Sequence, residues 1–323
     1  MRVTRRQTLR GGGALCAGAS LASITGCLGS RGDTSSSGDG TAVTIGSKSF
    51  TENVILGYMA YEAITATTEV PLVDETRYGG SSAVWGGLLE SSLDLYWDYT
   101  GTIWSFYPPQ HESSPSDPAT LYDDMKTEIR DEHGLEALDR GLFDNTYALL
   151  ASPEWMDETG VRSISDLAEH VNSGNIEDKI VLGEGFFGRS DGWPGLADYY
   201  GFEDDALAAW EDNIEVVDSG LTYEFLRTDM AAVGMGFATN PQILVYGLES
   251  LEDDQNFFPV YNPVPIGRKE TFEKHPEIRT VLSKIGPALK DNETMQALNK
   301  QVALDGADPQ VVAREFLTSE GII

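Results

Sequence analysis

From Ala42 onward the chain alternates between two hydrophobic periods, and this alternation leaves it few architectures to choose from. Short β-branched or apolar runs read as strands: Ala42–Gly46, Val70–Thr76, Leu93–Trp97, Thr146–Ala151, Lys179–Gly183, Asn213–Val217 and Ala231–Phe237. Between them, apolar residues recur at helical spacing, first at Val54, Ile55, Leu56, Met59, Ala60, Ala63 and Ile64. Ala83–Glu90, Ile164–Val171, Pro194–Tyr200 and Tyr223–Arg227 follow in the same way. Gln255–Val264 reads as extended, and helices around Pro276–Leu289, Asn292–Asp305 and Pro309–Leu317 close the chain. Strands alternating with helices imply an α/β fold of mainly parallel sheets covered on both faces. Roughly 280 residues are too many for one such core and suit two lobes of about 100 to 150 residues each. No internal repeat is visible.

The 52 acidic and 22 basic residues give a formal charge of −30. Such a field repels nucleic acid and anionic lipid surfaces. With 41% hydrophobic residues and 10% aromatics the chain still has material for a core. The acid excess is spread along the whole length and Arg outnumbers Lys, a pattern that fits solvation in concentrated salt and a halophilic host.

The first forty residues are expected to be a targeting segment. Thr4-Arg5-Arg6-Gln7-Thr8-Leu9-Arg10 resembles a twin-arginine export signal and precedes an apolar stretch from Gly11 to Ile24, short for a membrane span. Ile24-Thr25-Gly26-Cys27 resembles a lipobox, which makes Cys27 the lipidation site of an exported, membrane-anchored lipoprotein at the cell surface. Residues 28–41 have the composition of a flexible tether. Both cysteines, Cys16 and Cys27, lie in this region, so the mature chain is expected to have no disulfide and to rely on packing.

No catalytic constellation stands out. Gly188-Arg189-Ser190-Asp191-Gly192 matches the G-x-S-x-G elbow, but Glu184 to Phe187 separate it from the strand and Trp193-Pro194 crowd the turn. There is no H-E-x-x-H, no paired-cysteine metal spacing, no phosphate-binding P-loop and no dinucleotide fingerprint. An enzyme, a cofactor and a metal are therefore not expected. Aromatics and cations gather instead at strand-to-helix turns, where open α/β sheets place ligand crevices.

Five stretches carry a family resemblance: Ile45 to Asn53 (IGSKSFTEN), Leu93 to Thr102 (LDLYWDYTGT), Asn145 to Leu149 (NTYAL), Phe187 to Gly192 (FGRSDG) and Tyr261-Asn262-Pro263. In this order the chain resembles the glycine betaine, carnitine and choline (osmoprotectant) binding proteins of ABC importers. The resemblance implies a two-lobe periplasmic binding protein fold of type II with a hinge and an interlobe cleft. It implies lobe one from 42–141 and 252–323, and lobe two from 142–251. It also implies a monomer that hands a quaternary amine, glycine betaine first, to permease and ATPase subunits. Tyr99, Tyr147, Phe237 and Tyr261 would cage the trimethylammonium head. Lys48 and Arg189 would clamp the carboxylate, with Thr51 adding a hydroxyl. Two positions depart from the family pattern: Phe237 stands where a Tyr is expected, and Asn145 where some relatives carry Asp. Taken singly, each residue has a plainer reading, since strand-end aromatics are more often half-buried core, Lys48 could cap a helix and Arg189 could answer Glu184 and Asp191. Ectoine, proline or another amino-acid-like solute, or a sensor that does not transport, remain open alternatives.

Overall fold

The computed structural model describes residues 42–111, 113–188 and 192–323. The export signal, Cys27, the tether at 28–41 and Arg189 lie outside these residues. Among the described residues ten strands form two five-stranded sheets. The first comprises β1 (Val43–Lys48), β2 (Leu72–Gly79), β3 (Leu95–Tyr99), β4 (Leu135–Ala137) and β10 (Pro263–Arg268), in the order β2-β1-β3-β10-β4. The second comprises β5 (Tyr147–Ala151), β6 (Ile180–Gly183), β7 (Ile214–Val217), β8 (Val233–Phe237) and β9 (Glu249–Ser250), in the order β7-β6-β8-β5-β9.

Each sheet is mixed. β1 runs parallel to β2 and β3, whereas β10 is antiparallel to β3 and β4; β6 runs parallel to β7 and β8, whereas β5 is antiparallel to β8 and β9. The antiparallel members are the strands through which the chain enters or re-enters a sheet after crossing from the other one. The parallel members are joined by helical crossovers, as the βα alternation predicts. The two-lobed α/β architecture is thus as expected, with a smaller parallel share.

Period-2 alternation explains why both sheets are covered twice. Leu95 and Trp97 of β3 face one core with Ile45, Ile55 and Met59, while Tyr96 faces the opposite side with Val84, Met125 and Ile266. In the second sheet, Leu149 and Ala151 pack with Leu182, Leu196 and Trp210, while Ala148 and Leu150 pack with Tyr223 and Ile243. Phe258 belongs to the second core and Phe257 packs against it. Leaving these two rings, one buried and one partly buried, the chain crosses back through Pro259 to Tyr261 toward β10.

β10 is central despite its prolines. Pro263 and Pro265 turn their carbonyls to the segment after β4, where the N–H groups of Gly141 and Leu138 donate at 2.7 and 2.9 Å. The Leu138 carbonyl accepts from Tyr122 OH (2.9 Å), which supplies a donor where Pro265 has none.

Two crossing segments join the lobes. Asn145 N–H donates to the Tyr261 carbonyl (3.2 Å), Tyr261 N–H to Asp144 Oδ1 (2.7 Å) and Thr146 Oγ1 to the Pro259 carbonyl (2.8 Å). Gly101 makes this approach possible, since a Cβ there would lie 2.5 Å from the Val260 carbonyl oxygen and 2.9 Å from the Tyr261 ring. A further bridge is the helix Asn292–Ala303, where Gln296 Nε2 and Asn299 Nδ2 donate to the carbonyls of Ala238 (2.7 Å) and Thr239 (3.0 Å) in the second lobe.

Candidate functional site

The turn from β1 into the helix Thr51–Thr67 is built by side chains of the S-K-S-F-T-E-N run. Asn53, fully buried, accepts from the Lys48 N–H (2.6 Å) and donates to the Trp97 carbonyl (2.8 Å), so it ties the turn to β3. Lys48 is itself buried, with Nζ 2.5 Å from Asp98 Oδ1 and 5.2 Å from the Tyr99 ring centroid. Asp98 also accepts from Tyr99 N–H, Tyr96 OH and Tyr107 OH at 2.8, 2.6 and 2.8 Å. The expected anion clamp at Lys48 is thus already engaged by an internal carboxylate. Burial and the neighbouring Asp98 charge push the Tyr96 and Tyr107 phenols well above their usual range, so both remain donors.

Beside this ion pair lies a second buried carboxylate, Glu52. Its Oε1 accepts from Tyr99 OH (2.7 Å) and Asn145 Nδ2 (3.1 Å), and its Oε2 from Asn299 Nδ2 (3.1 Å). Burial raises its pKa, opposed by hydrogen bonds from Thr239, Tyr99, Asn299 and Asn145. Among the described residues no Lys, Arg or His forms an ion pair with it. Asn145 and Thr239 come from the crossing segment and the second lobe, so Glu52 joins the two halves.

Glu52 lines a cavity of about 570 Å³ between the lobes. Phe50, Thr51, Asn299 and Leu304 contribute from the first lobe, Phe237, Thr239 and Gln242 from the second, and Asn145 from the crossing. Phe50 and Phe237 are 43% and 38% exposed, which leaves ring surface free on both rims. Asn299 Oδ1, buried in the wall, receives no donor from the described residues. Such a space, with aromatic rims and a buried anion, suits an organic cation.

Of the expected residues, Thr51, Asn145 and Phe237 line this cavity. Tyr99 stands behind it, 3% exposed, with its hydroxyl on Glu52 and its ring stacked 6.0 Å from Phe50. Tyr147 is the register partner of Phe237 across β5 and β8, with ring centroids 5.2 Å apart, and it also meets Phe186 and Phe258. Tyr261 sits in the crossing, half-buried against the first core. Glu52, Phe50, Thr239, Gln242 and Asn299 were not anticipated. Glu52 left a trace, because it lies on the same helix face as Leu56, Met59 and Ala63, and a carboxylate on an apolar stripe calls for a reason.

Residues 41–319 match the model of the family described as the substrate binding domain of ABC-type glycine betaine transport systems. The chain is 37% identical over 270 residues to the chemotactic signal transduction system substrate-binding protein CosB of Halobacterium salinarum, covering 82% of this chain and 80% of that protein. It is 31% identical over 292 residues to a glycine-betaine-binding protein of Pseudomonas aeruginosa, covering 86% and 88%. A crystal structure described as a glycine betaine/carnitine/choline ABC transporter superposes with a TM-score of 0.78 at 25% identity, over 87% of this chain and 99% of that one.

Proposed function

The chain belongs to the family of substrate-binding domains of ABC-type glycine betaine transport systems, and from that premise we propose that it captures a quaternary-amine compatible solute for an ABC importer. It is a solute-binding protein and not an enzyme. Its family acts outside the cytoplasm, on small osmolytes, with permease and ATPase subunits.

The observation that carries the reading is the interlobe cavity with Phe50 and Phe237 on opposite rims and the Glu52 carboxylate in its wall. A quaternary ammonium donates no N–H and is weakly hydrated, so ring faces hold it well, each for about 0.5–2 kcal/mol. Tyr99, Tyr147, Phe237 and Tyr261 form the cage as the lobes approach, and three or four such rings suffice for roughly micromolar affinity. Arg189 carries most of the attraction for a ligand carboxylate, because Lys48 shares its ammonium with Asp98. Thr51 and Asn145 contribute polar contacts from the cavity wall. Delivery at the cell surface proceeds from a lipid on Cys27, after twin-arginine export, through the tether at 28–41.

Calorimetric titration with glycine betaine in molar KCl tests this. Micromolar binding that Tyr99→Ala abolishes is expected. Absence of heat with every quaternary amine, from protein shown to be folded, rejects the assignment.

A second reading has its own support in the likeness to CosB: the loaded protein reports to a chemotactic signal transduction system. Deletion in the native host separates the two. Loss of labelled-solute uptake supports import, whereas loss of taxis with uptake intact supports sensing.

A further inference from the structure

Glu52 is the one ionisable side chain among the described residues that line the interlobe cavity. It is 3% exposed, and its hydrogen-bond partners are neutral donors: Tyr99 OH and Asn145 Nδ2 on Oε1, Asn299 Nδ2 on Oε2, and the Thr239 side chain. The charged groups around it do not neutralise it. On the β1 and β3 side, the Lys48 ammonium lies 2.5 Å from Asp98 Oδ1 and is engaged by that carboxylate. On the crossing segment, Asp144 and Glu52 repel one another. The Tyr99 phenol, pushed well above its usual range by burial and by the Glu52 charge, stays protonated. The helix Asn292–Ala303 and the second lobe bring only the Asn299 amide and the Thr239 side chain.

Burial opposes the anion and the four donors favour it; burial is the larger effect, so the carboxyl is held above its usual range. A buried charge without a counter-ion is a costly state of the empty protein. Two events relieve it: the carboxylate takes a proton, or a cation enters the cavity. They compete for the same charge. A quaternary ammonium between Phe50 and Phe237 needs no lone pair of Glu52, because it acts through space across a poorly screened interior. An opposite charge so placed lowers the carboxyl pKa, and the proton passes to the surrounding buffer.

We propose that Glu52 couples solute capture to proton release, so that a cationic solute is held by the deprotonated protein and shed when this carboxylate takes up a proton. This inference rests on the quaternary-amine reading above and adds a regulation to the same site. By linkage, affinity falls up to about tenfold for each pH unit below the pKa of the empty site.

Titration calorimetry of the purified protein with glycine betaine and with tetramethylammonium, whose charges are fixed between about pH 5 and 8, tests it. Heats measured at one pH in buffers of different ionisation enthalpy give the number of protons released. The wild type should release a substantial fraction of a proton per solute at the acid end, and bind at least about tenfold more weakly there than at the alkaline end. Glu52→Gln, shown to be folded by its thermal transition, should bind weakly at every pH and release none. Asp144→Asn should keep both the release and the pH dependence, which assigns the proton to the cavity wall rather than to the crossing segment. The wild-type measurement needs no variant, so it decides the matter even if Glu52→Gln does not fold. Unchanged wild-type affinity across the range with no proton released, release retained by folded Glu52→Gln, or release lost in Asp144→Asn overturns the inference and leaves the quaternary-amine reading standing. No heat with either solute at any pH, from folded protein, removes both.

Discussion

Lys48 and Asp98 sit together in a dry part of the first lobe, 4% and 0% exposed, and each is the other's compensation. Removing only the lysine leaves a carboxylate buried among two phenols and a backbone N–H. Lys48→Met is therefore expected to destabilise the ligand-free protein by about 3–5 kcal/mol, read as a fall in the thermal midpoint. Lys48→Met combined with Asp98→Asn should recover part of the loss, because the amide oxygen still accepts hydrogen bonds and no charge remains. A lysine that served only to meet the ligand would leave the ligand-free midpoint unchanged. At this scale the sequence was legible in residue type and not in partnership. Lys48 stands out as a cation at a strand end, but its partner lies 50 residues away. Glu52 and Asn299, 247 residues apart, meet only because the last long helix packs beside the first. No local period encodes that meeting.

Elements were legible where hydrophobic period and turn chemistry agree. The first βα unit is an example, with β1 and the helix Thr51–Thr67 close to their expected places. The helix Pro118–His133 was missed, although Asp117 caps it, Pro118 begins it and Gly134, at φ 65°, ends it. Only Leu121, Met125 and Ile129 are buried along its sixteen residues, too thin a stripe to rise above its acidic surface. β10 begins at Pro263, near the end of the stretch expected to be extended, because prolines argue against a central strand until their carbonyl partners are known. The crossing segments carry a prediction of their own. Burial pushes the Asp144 carboxyl up to about 6, and nearby Asp253 and Glu52 add to this, while the Tyr261 N–H and Arg140 pull it down. The folded pKa exceeds the unfolded one, so the native state holds this proton more tightly. The associated stability is fully present below about pH 4 and is lost as pH rises through about 6, on the order of 2–3 kcal/mol. Asp144→Asn, which can still accept from Tyr261, should remove that decline. Chemical denaturation of both proteins between pH 4 and 7 checks it, and parallel stability curves would contradict the assignment.

For the whole molecule, the dominant quantity is the formal charge of −30. Many ion pairs of the described residues are solvent-exposed, such as Arg130–Asp131 and Lys269–Glu273, and add little. Self-repulsion of the excess acid should then govern how stability responds to salt. Raising KCl from about 0.1 M to 1 M shortens the screening length from about 10 Å to about 3 Å. The thermal midpoint is expected to rise over that range, and a midpoint that falls would show that the exposed pairs outweigh the repulsion.

The helix Asn292–Ala303 reaches from one half of the molecule to the carbonyls of the other through Gln296 and Asn299. Of the two, Asn299 lines the cavity and Gln296 does not, so if the halves swing apart to admit cargo, the Gln296 amide sets part of the cost of opening without touching what is bound. Apparent affinity scales with the fraction of time the entrance stands shut. A change at Gln296 would therefore reset the solute concentration at which the protein fills, with every contact to the cargo left as it was.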